Sequence, residues 1–340
     1  MKSYIKIISV ITGSIIGAGF ASGQEIKIFF GDFGIGGLLG IIIATSLMAL
    51  VVNSVLKIVI INKTDTYLQF TSVIFKNHKI LNNSMKNIID LFLLISFFLM
   101  TVGFASFFEQ ELCINKYIGA IIVAVMCYFT FLGSIKRIIK INELIMPILL
   151  LLIIILGIVV ILNYPIEITQ INKNTLSNNP ITSGIIYASY NMIILIPILI
   201  SLKSEIKSKK QIDKVSVITW FCIVVPAILI YFMMFTFKNQ NVEIPIIQIA
   251  NQFGNVCKYL YSFVILSAIF TSAVCSGYSF LKNITKKRNT YRITALVICI
   301  ISIFVSHFSF SNLIKILYPF FGFLGIMQIF LILLEKKQEN

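Results

Sequence analysis

Runs of about 20 apolar residues recur along the whole chain, and no other feature narrows the possible folds as much. Each run is long enough to cross a bilayer as a helix. Inside a bilayer only helices and closed barrels satisfy their own backbone polar groups. Polar punctuation divides the sequence into ten such spans, at about 4–31, 35–61, 87–109, 115–133, 138–162, 181–202, 213–237, 257–281, 290–308 and 312–334. Of the 340 residues, 58% are hydrophobic and 12% charged, against roughly 25% charged in a soluble domain. The fold class is therefore an all-α polytopic membrane protein with ten transmembrane helices. Two further stretches are not spans. Residues 64–80 read as an amphipathic surface helix, and residues 242–254 as a short helix dipping into an outer vestibule.

The net charge of +15 invites a nucleic-acid partner, but the placement of the charge argues against one. With the N-terminus inside, 22 of the 28 Lys and Arg residues fall on the inner side and 4 on the outer. Lys27 and Lys315 lie within spans. That bias is a topology signal. It predicts a multi-pass protein of the cell membrane with both termini cytoplasmic. The expected partners are the lipid bilayer and a small-molecule solute, with no nucleic acid. The sequence leaves the oligomeric state open.

Corresponding spans in the two halves lie 170 to 178 residues apart, which suggests two sets of five helices. Five is odd, so the second set enters from the opposite side, a five-plus-five inverted repeat. The expected division is a first repeat over 1–163, an outer loop over 164–180 and a second repeat over 181–340. Both repeats begin with a weak helix. Residues 13–25 read GSIIGAGFASGQE, and span six contains GIIYASYN around Tyr187–Asn191. Paired weak points of this kind predict interrupted first and sixth helices, whose freed backbone groups meet ion or solute. The competing reading is packing, because Gly13 with Gly17 and Gly19 with Gly23 are small-x-x-x-small pairs. Counted along an unbroken helix, Gly17–Gly19 lies roughly 20 Å deep and Glu25 roughly 30 Å deep. Glu25 is thus expected at a gate or outer vestibule. The expected solute contacts are Gly17, Ala18, Gly19, Phe20, Tyr187, Ser189, Tyr190 and Asn191, with Thr101 and Phe104 of span three.

The stretch GSIIGAGFASGQEIKIFF, YASYN in span six and the segment from Pro245 to Ala250 resemble the YkvI-like family of membrane proteins. That family is placed in the amino acid–polyamine–organocation superfamily, whose members share the LeuT-type fold. The resemblance covers the whole chain. It implies a secondary transporter of an amino acid or a related carboxylate or amine, working by alternating access. It also implies a sodium ion held by backbone carbonyls of Gly13 and Ile16 and by Ala268, Thr271 and Ser272, which match an A-x-x-T-S pattern in SAIFTSAVCSGYS. Hydroxyls in a membrane helix can instead bond their own carbonyls. Some proton-coupled relatives place a lysine midway along span five, and MPILLLLIIILGIVVIL has none. Other relatives sense ligands without transporting them, which leaves a receptor of the same fold as the alternative function. No nucleophile–base pair, zinc motif or nucleotide loop suggests an enzyme. No cofactor is expected beyond sodium as coupling ion.

Overall fold

A computed structural model describes residues 2–76, 78–133, 135–166, 179–236, 242–285 and 287–338. The side chains of residues 2, 3, 135–144 and 336–338 lie outside the description, as does most of the expected outer loop. The described residues form fourteen α-helices. They are α1 (Lys2–Ile15), α2 (Ala18–Ala21), α3 (Gln24–Phe30), α4 (Gly36–Ile61), α5 (Tyr67–Ile74), α6 (Lys79–Leu112), α7 (Lys116–Leu132), α8 (Ile135–Asn163), α9 (Pro180–Ser201), α10 (Lys209–Thr236), α11 (Pro245–Asn251), α12 (Asn255–Ile284), α13 (Arg288–Val305) and α14 (Phe310–Gln338). Eight of them are long and apolar enough to cross a membrane. The fourth span, α7, and the apolar part of α1 are shorter. Large apolar side chains such as Phe129, Leu162, Phe263 and Phe304 are exposed on the outside of the bundle, as a lipid-facing surface requires.

Local chemistry sets the boundaries. Thr66 and Gln69 cap α5 reciprocally, a capping box that satisfies two otherwise orphaned amides. Asn179 caps α9 through Ile181 N, with Pro180 in the first turn. Pro180 has no N–H to lose there. Span three extends further than expected, because α6 begins at Lys79 rather than near residue 87. The expected surface helix correspondingly ends at Ile74.

The first span is interrupted, as expected, and in two places. Helix α1 stops at Ile15, and Gly17 is extended with φ −83° and ψ −172°. A second break follows α2 at Gly23, which is left-handed with φ +84°. An L side chain is strained in that region, and glycine is not. The sixth span corrects the expectation, because α9 runs unbroken from Pro180 to Ser201. Its polar groups bond back to their own helix instead of opening it. Ser189 Oγ donates to Ile185 O at 2.7 Å, and Asn191 Nδ2 to Tyr187 O at 3.0 Å.

Packing explains why α9 stays straight. It lies between α4 and α14 with backbone nearly touching backbone. A Cβ on Gly184 would stand 2.6 Å from Gly40 O, and one on Gly322 the same distance from Ile186 O. Small residues at helix interfaces permit this approach. Gly184→Val is expected to destabilise the bundle by about 1–3 kcal/mol or more, because carbonyl oxygens cannot give way as side chains do. A lowered midpoint of thermal unfolding in detergent is the readout, and an unchanged midpoint would refute this packing.

Candidate functional site

The two breaks in the first span turn α3 back toward the bundle centre, and this places Glu25. Its side chain is 4% exposed. Tyr190 Oη donates to Glu25 Oε2 at 2.5 Å and Tyr187 Oη to the same oxygen at 3.2 Å. The two tyrosines are three residues apart on α9, so one helix face presents both. The other carboxylate oxygen lies over Gly19, where any Cβ would collide with it. Glu25 is therefore in the buried centre and not in an outer vestibule. The depth count failed because it assumed an unbroken helix rising 1.5 Å per residue.

Aromatic rings surround the carboxyl. Phe29 meets Tyr187 edge-on at 5.1 Å and stacks on Tyr190 at 5.6 Å. Tyr318 of α14 stacks on the other side of Tyr190 at 4.4 Å. Next come Phe92, 6.4 Å from Tyr318, and Phe321, 4.2 Å from Phe92.

Below this plug, at the lysine-rich end of the bundle, lies a cavity of about 570 Å³ between α5, α6, α9 and α12. Phe92 and Ile193 form its inner wall, and Asp90, Lys282, Cys275 and Ser276 line its sides. Asn283 Nδ2 donates to Asp90 at 2.7 Å. Tyr67 of α5 also borders the cavity and accepts from Gln328 Nε2 at 2.9 Å. Burial holds the Tyr67 hydroxyl above the usual tyrosine range, so it stays neutral in this bond.

The opposite end is bonded across. Gln110 of α6 takes both backbone groups of Ile244, with the Ile244 amide donating at 3.0 Å and the carbonyl accepting at 3.4 Å. Glu243 accepts from Ser311 N at 2.8 Å, and Gln24 Nε2 donates to Val242 O at 2.5 Å. Ile246 N donates to Ser22 O at 3.3 Å, tying α11 to the second break. Tyr261 of α12 donates to Ala21 O at 2.6 Å. The expected short helix near 242–254 is thus the plug of this end.

The expected solute contacts divide into two groups. Gly19, Tyr187 and Tyr190 converge on Glu25. Ala18 and Phe20 are buried in α2 beside them, and Gly17 has open space where a Cβ would stand. Ser189 turns away, into an apolar groove with Ile43, Leu47 and Phe330. Asn191 and Thr101 are spent on local bonds, Thr101 Oγ1 to Phe98 O at 2.7 Å. Phe104 stacks on Phe108 at 5.2 Å. Among the residues expected at sodium, Gly13 faces Met146 of α8, while Ile16, Ala268 and Thr271 are buried and Ser272 half-buried. Thr271 Oγ1 donates to Ala268 O at 3.1 Å. The bond from Tyr261 to Ala21 sets the two stretches side by side. From it, Ala268 lies roughly 10 Å along α12 toward the basic end. Sequence reasoning missed Gln110 and Tyr261, which carry no local pattern and act only across the fold.

No family model matches the chain. It is 24% identical to a protein described as the uncharacterized membrane protein YkvI of Bacillus subtilis (strain 168), over 97% of this chain and 95% of that one. Among solved structures, a mutant of a manganese transporter of Eremococcus coleocola superposes with a TM-score of 0.69 at 14% identity, covering 98% of this chain and 78% of that one. A Na+-coupled sialic acid symporter in a substrate-bound outward-open state gives 0.55 at 14% identity, over 95% and 78% of the two chains. The inward-facing conformation of Mhp1 gives 0.54 at 12% identity, over 95% and 75%. The chain is a multi-pass membrane protein of LeuT-type fold.

Two glycines of the break should respond oppositely to substitution. Gly17→Ala meets no neighbour and is expected to be neutral, or stabilising by up to ~1 kcal/mol through the unfolded chain. Gly19→Ala drives the carboxylate off Tyr190 and is expected to lower the thermal midpoint clearly. Equal effects of the two would contradict the placement of Glu25.

Proposed function

We propose that the protein is a secondary transporter that carries a small solute by alternating access, with its basic end in the cytoplasm. One observation carries the reading. A doubly broken first span meets buried polar side chains at mid-bundle, bonded to α11 toward one end and joined at the other, through a stack of aromatic rings, to the wall of a cavity. A site held differently toward its two ends is what alternating access requires of one of its states. The solved structures of like fold, described as a manganese transporter and a Na+-coupled symporter, support transport as the activity. The resemblance of GSIIGAGFASGQEIKIFF to the YkvI-like family, placed in the amino acid–polyamine–organocation superfamily, favours an amino acid or a related amine or carboxylate. Sodium is the proposed coupling ion, between the Gly13 and Ile16 carbonyls and Ala268, Thr271 and Ser272. Hard oxygen ligands of that kind suit a small cation.

Two measurements test this reading. The first is flux of labelled amino acids into proteoliposomes, with and without a sodium gradient. Uptake that rises with the gradient supports it. Solute that stabilises the protein without crossing the membrane would make it a sensor instead. The second concerns the cavity. In a variant with Cys275 as its only cysteine, a membrane-impermeant maleimide is expected to label from the cytoplasmic side alone. Labelling from the outside only would reverse the assignment of the open end.

A further inference from the structure

We propose that Glu25 is a proton-binding site, and that the proton it takes up and releases is a second coupling ion besides sodium. The inference rests on the transporter reading, but the protonation of Glu25 can be observed without it.

The reason is the charge balance at the break. Glu25 is buried and accepts from two neutral hydroxyls. Among the described residues no lysine, arginine or histidine forms an ion pair with it. A bare carboxylate at that depth would keep most of its desolvation cost, which two neutral donors only partly offset. Ionisable residues inside membranes generally mark ion pathways. The described residues that face it offer no counter-charge. From α9 the titratable groups facing Glu25 are Tyr187 and Tyr190, and from α14 Tyr318. Lys315, one turn before Tyr318, is half-buried. From α10, Tyr231 turns to the carbonyls of Phe30 and Gly34, with Asp32 nearby. On its own helix, Lys27 sits in the field of Glu243. Helix α2 has no ionisable residue, and Lys57 of α4 pairs with Asp213 at the basic end.

The geometry also supplies a route. Tyr190 bonds the carboxyl and stacks on Tyr318, and Phe92, beside Tyr318, lines the cytoplasmic cavity. When this stack parts, water from the cavity reaches Glu25. The carboxyl O–H then breaks, its proton passes to water, and the two hydroxyls remain to stabilise the anion. When α11 lifts from the second break, water from the other side returns a proton to the carboxylate. No other bond changes, and no further reactant is needed. This site lies against α9, whereas Ala268, Thr271 and Ser272 belong to α12, so the two ions need not compete.

Infrared spectroscopy of the reconstituted protein tests the site directly. The wild type is expected to show a protonated-carboxyl band that disappears on alkalinisation and is absent from Glu25→Gln. Tyr190→Phe should shift the frequency of that band, because the carboxyl loses one of two donors. This second variant keeps the test valid if Glu25→Gln does not fold. A spectrum with no such band assignable to Glu25 at any pH overturns the proposal. Uptake of a mixture of the proteinogenic amino acids then tests coupling, using an inward pH gradient in sodium-free vesicles. Gradient-driven accumulation in the wild type and its loss in Glu25→Gln support the proposal. Uptake indifferent to the gradient and equal in both overturns the coupling role. A wild type that moves none of these solutes under either gradient, while its band still titrates, overturns the transport reading and leaves Glu25 as a proton site.

Discussion

A helix that breaks inside a bilayer must hand its freed polar groups to something other than lipid, and the rest of this structure follows from how that demand is met. Here the groups are taken up by the chain itself. Tyr261 reaches from α12 to Ala21 O, Ser22 Oγ bonds back to Gly19 O at 2.8 Å, and the amide of Ile246 closes on Ser22 O. Each of these partners belongs to a different element. The break is therefore the junction at which the first, seventh-to-eighth and eighth segments of the bundle are tied together. It also brings Glu25 inward, onto a helix that was already straight and already carried two tyrosines on the facing side.

Much of this was legible in the sequence. Hydropathy placed all ten spans to within a few residues at most ends, and the glycines of residues 13–25 marked a true interruption. The short helix at Pro245 was visible from its length and its proline. The failures share one cause, which is that they depend on partners far along the chain. YASYN looked like a second break because it is polar, but Ser189 and Asn191 satisfy themselves within α9. Whether such residues open a helix or bond along it depends on how closely Gly184 and Gly322 let α4 and α14 approach. Glu25 was placed too far out because depth was counted along a straight helix. The left-handed Gly23 turns the chain, and no local pattern shows where a turned chain points. The pairing of Glu25 with Tyr190 spans 165 residues and has no signature at either end.

The unbroken α9 also makes the two halves unlike. An inverted repeat is symmetric in topology, but here only its first member carries a flexible joint. The corresponding helix of the second half is a strut, held on two sides by contacts between backbones. The breaks at the centre therefore fall in the first span, and other elements grip it.

That grip differs between the two ends, and the difference is in what must move. Toward the cavity, the barrier is a stack of rings, Tyr190, Tyr318 and Phe92, each of which clears by rotation about its own side-chain bonds. Toward the other end, the barrier is a backbone segment stitched to three helices through Gln110, Ser311 and Ser22, and it must release those bonds together. The first barrier opens by turning buried side chains within a standing backbone, the second only by moving the backbone itself. The two mouths of the bundle are thus closed by unlike parts of the chain.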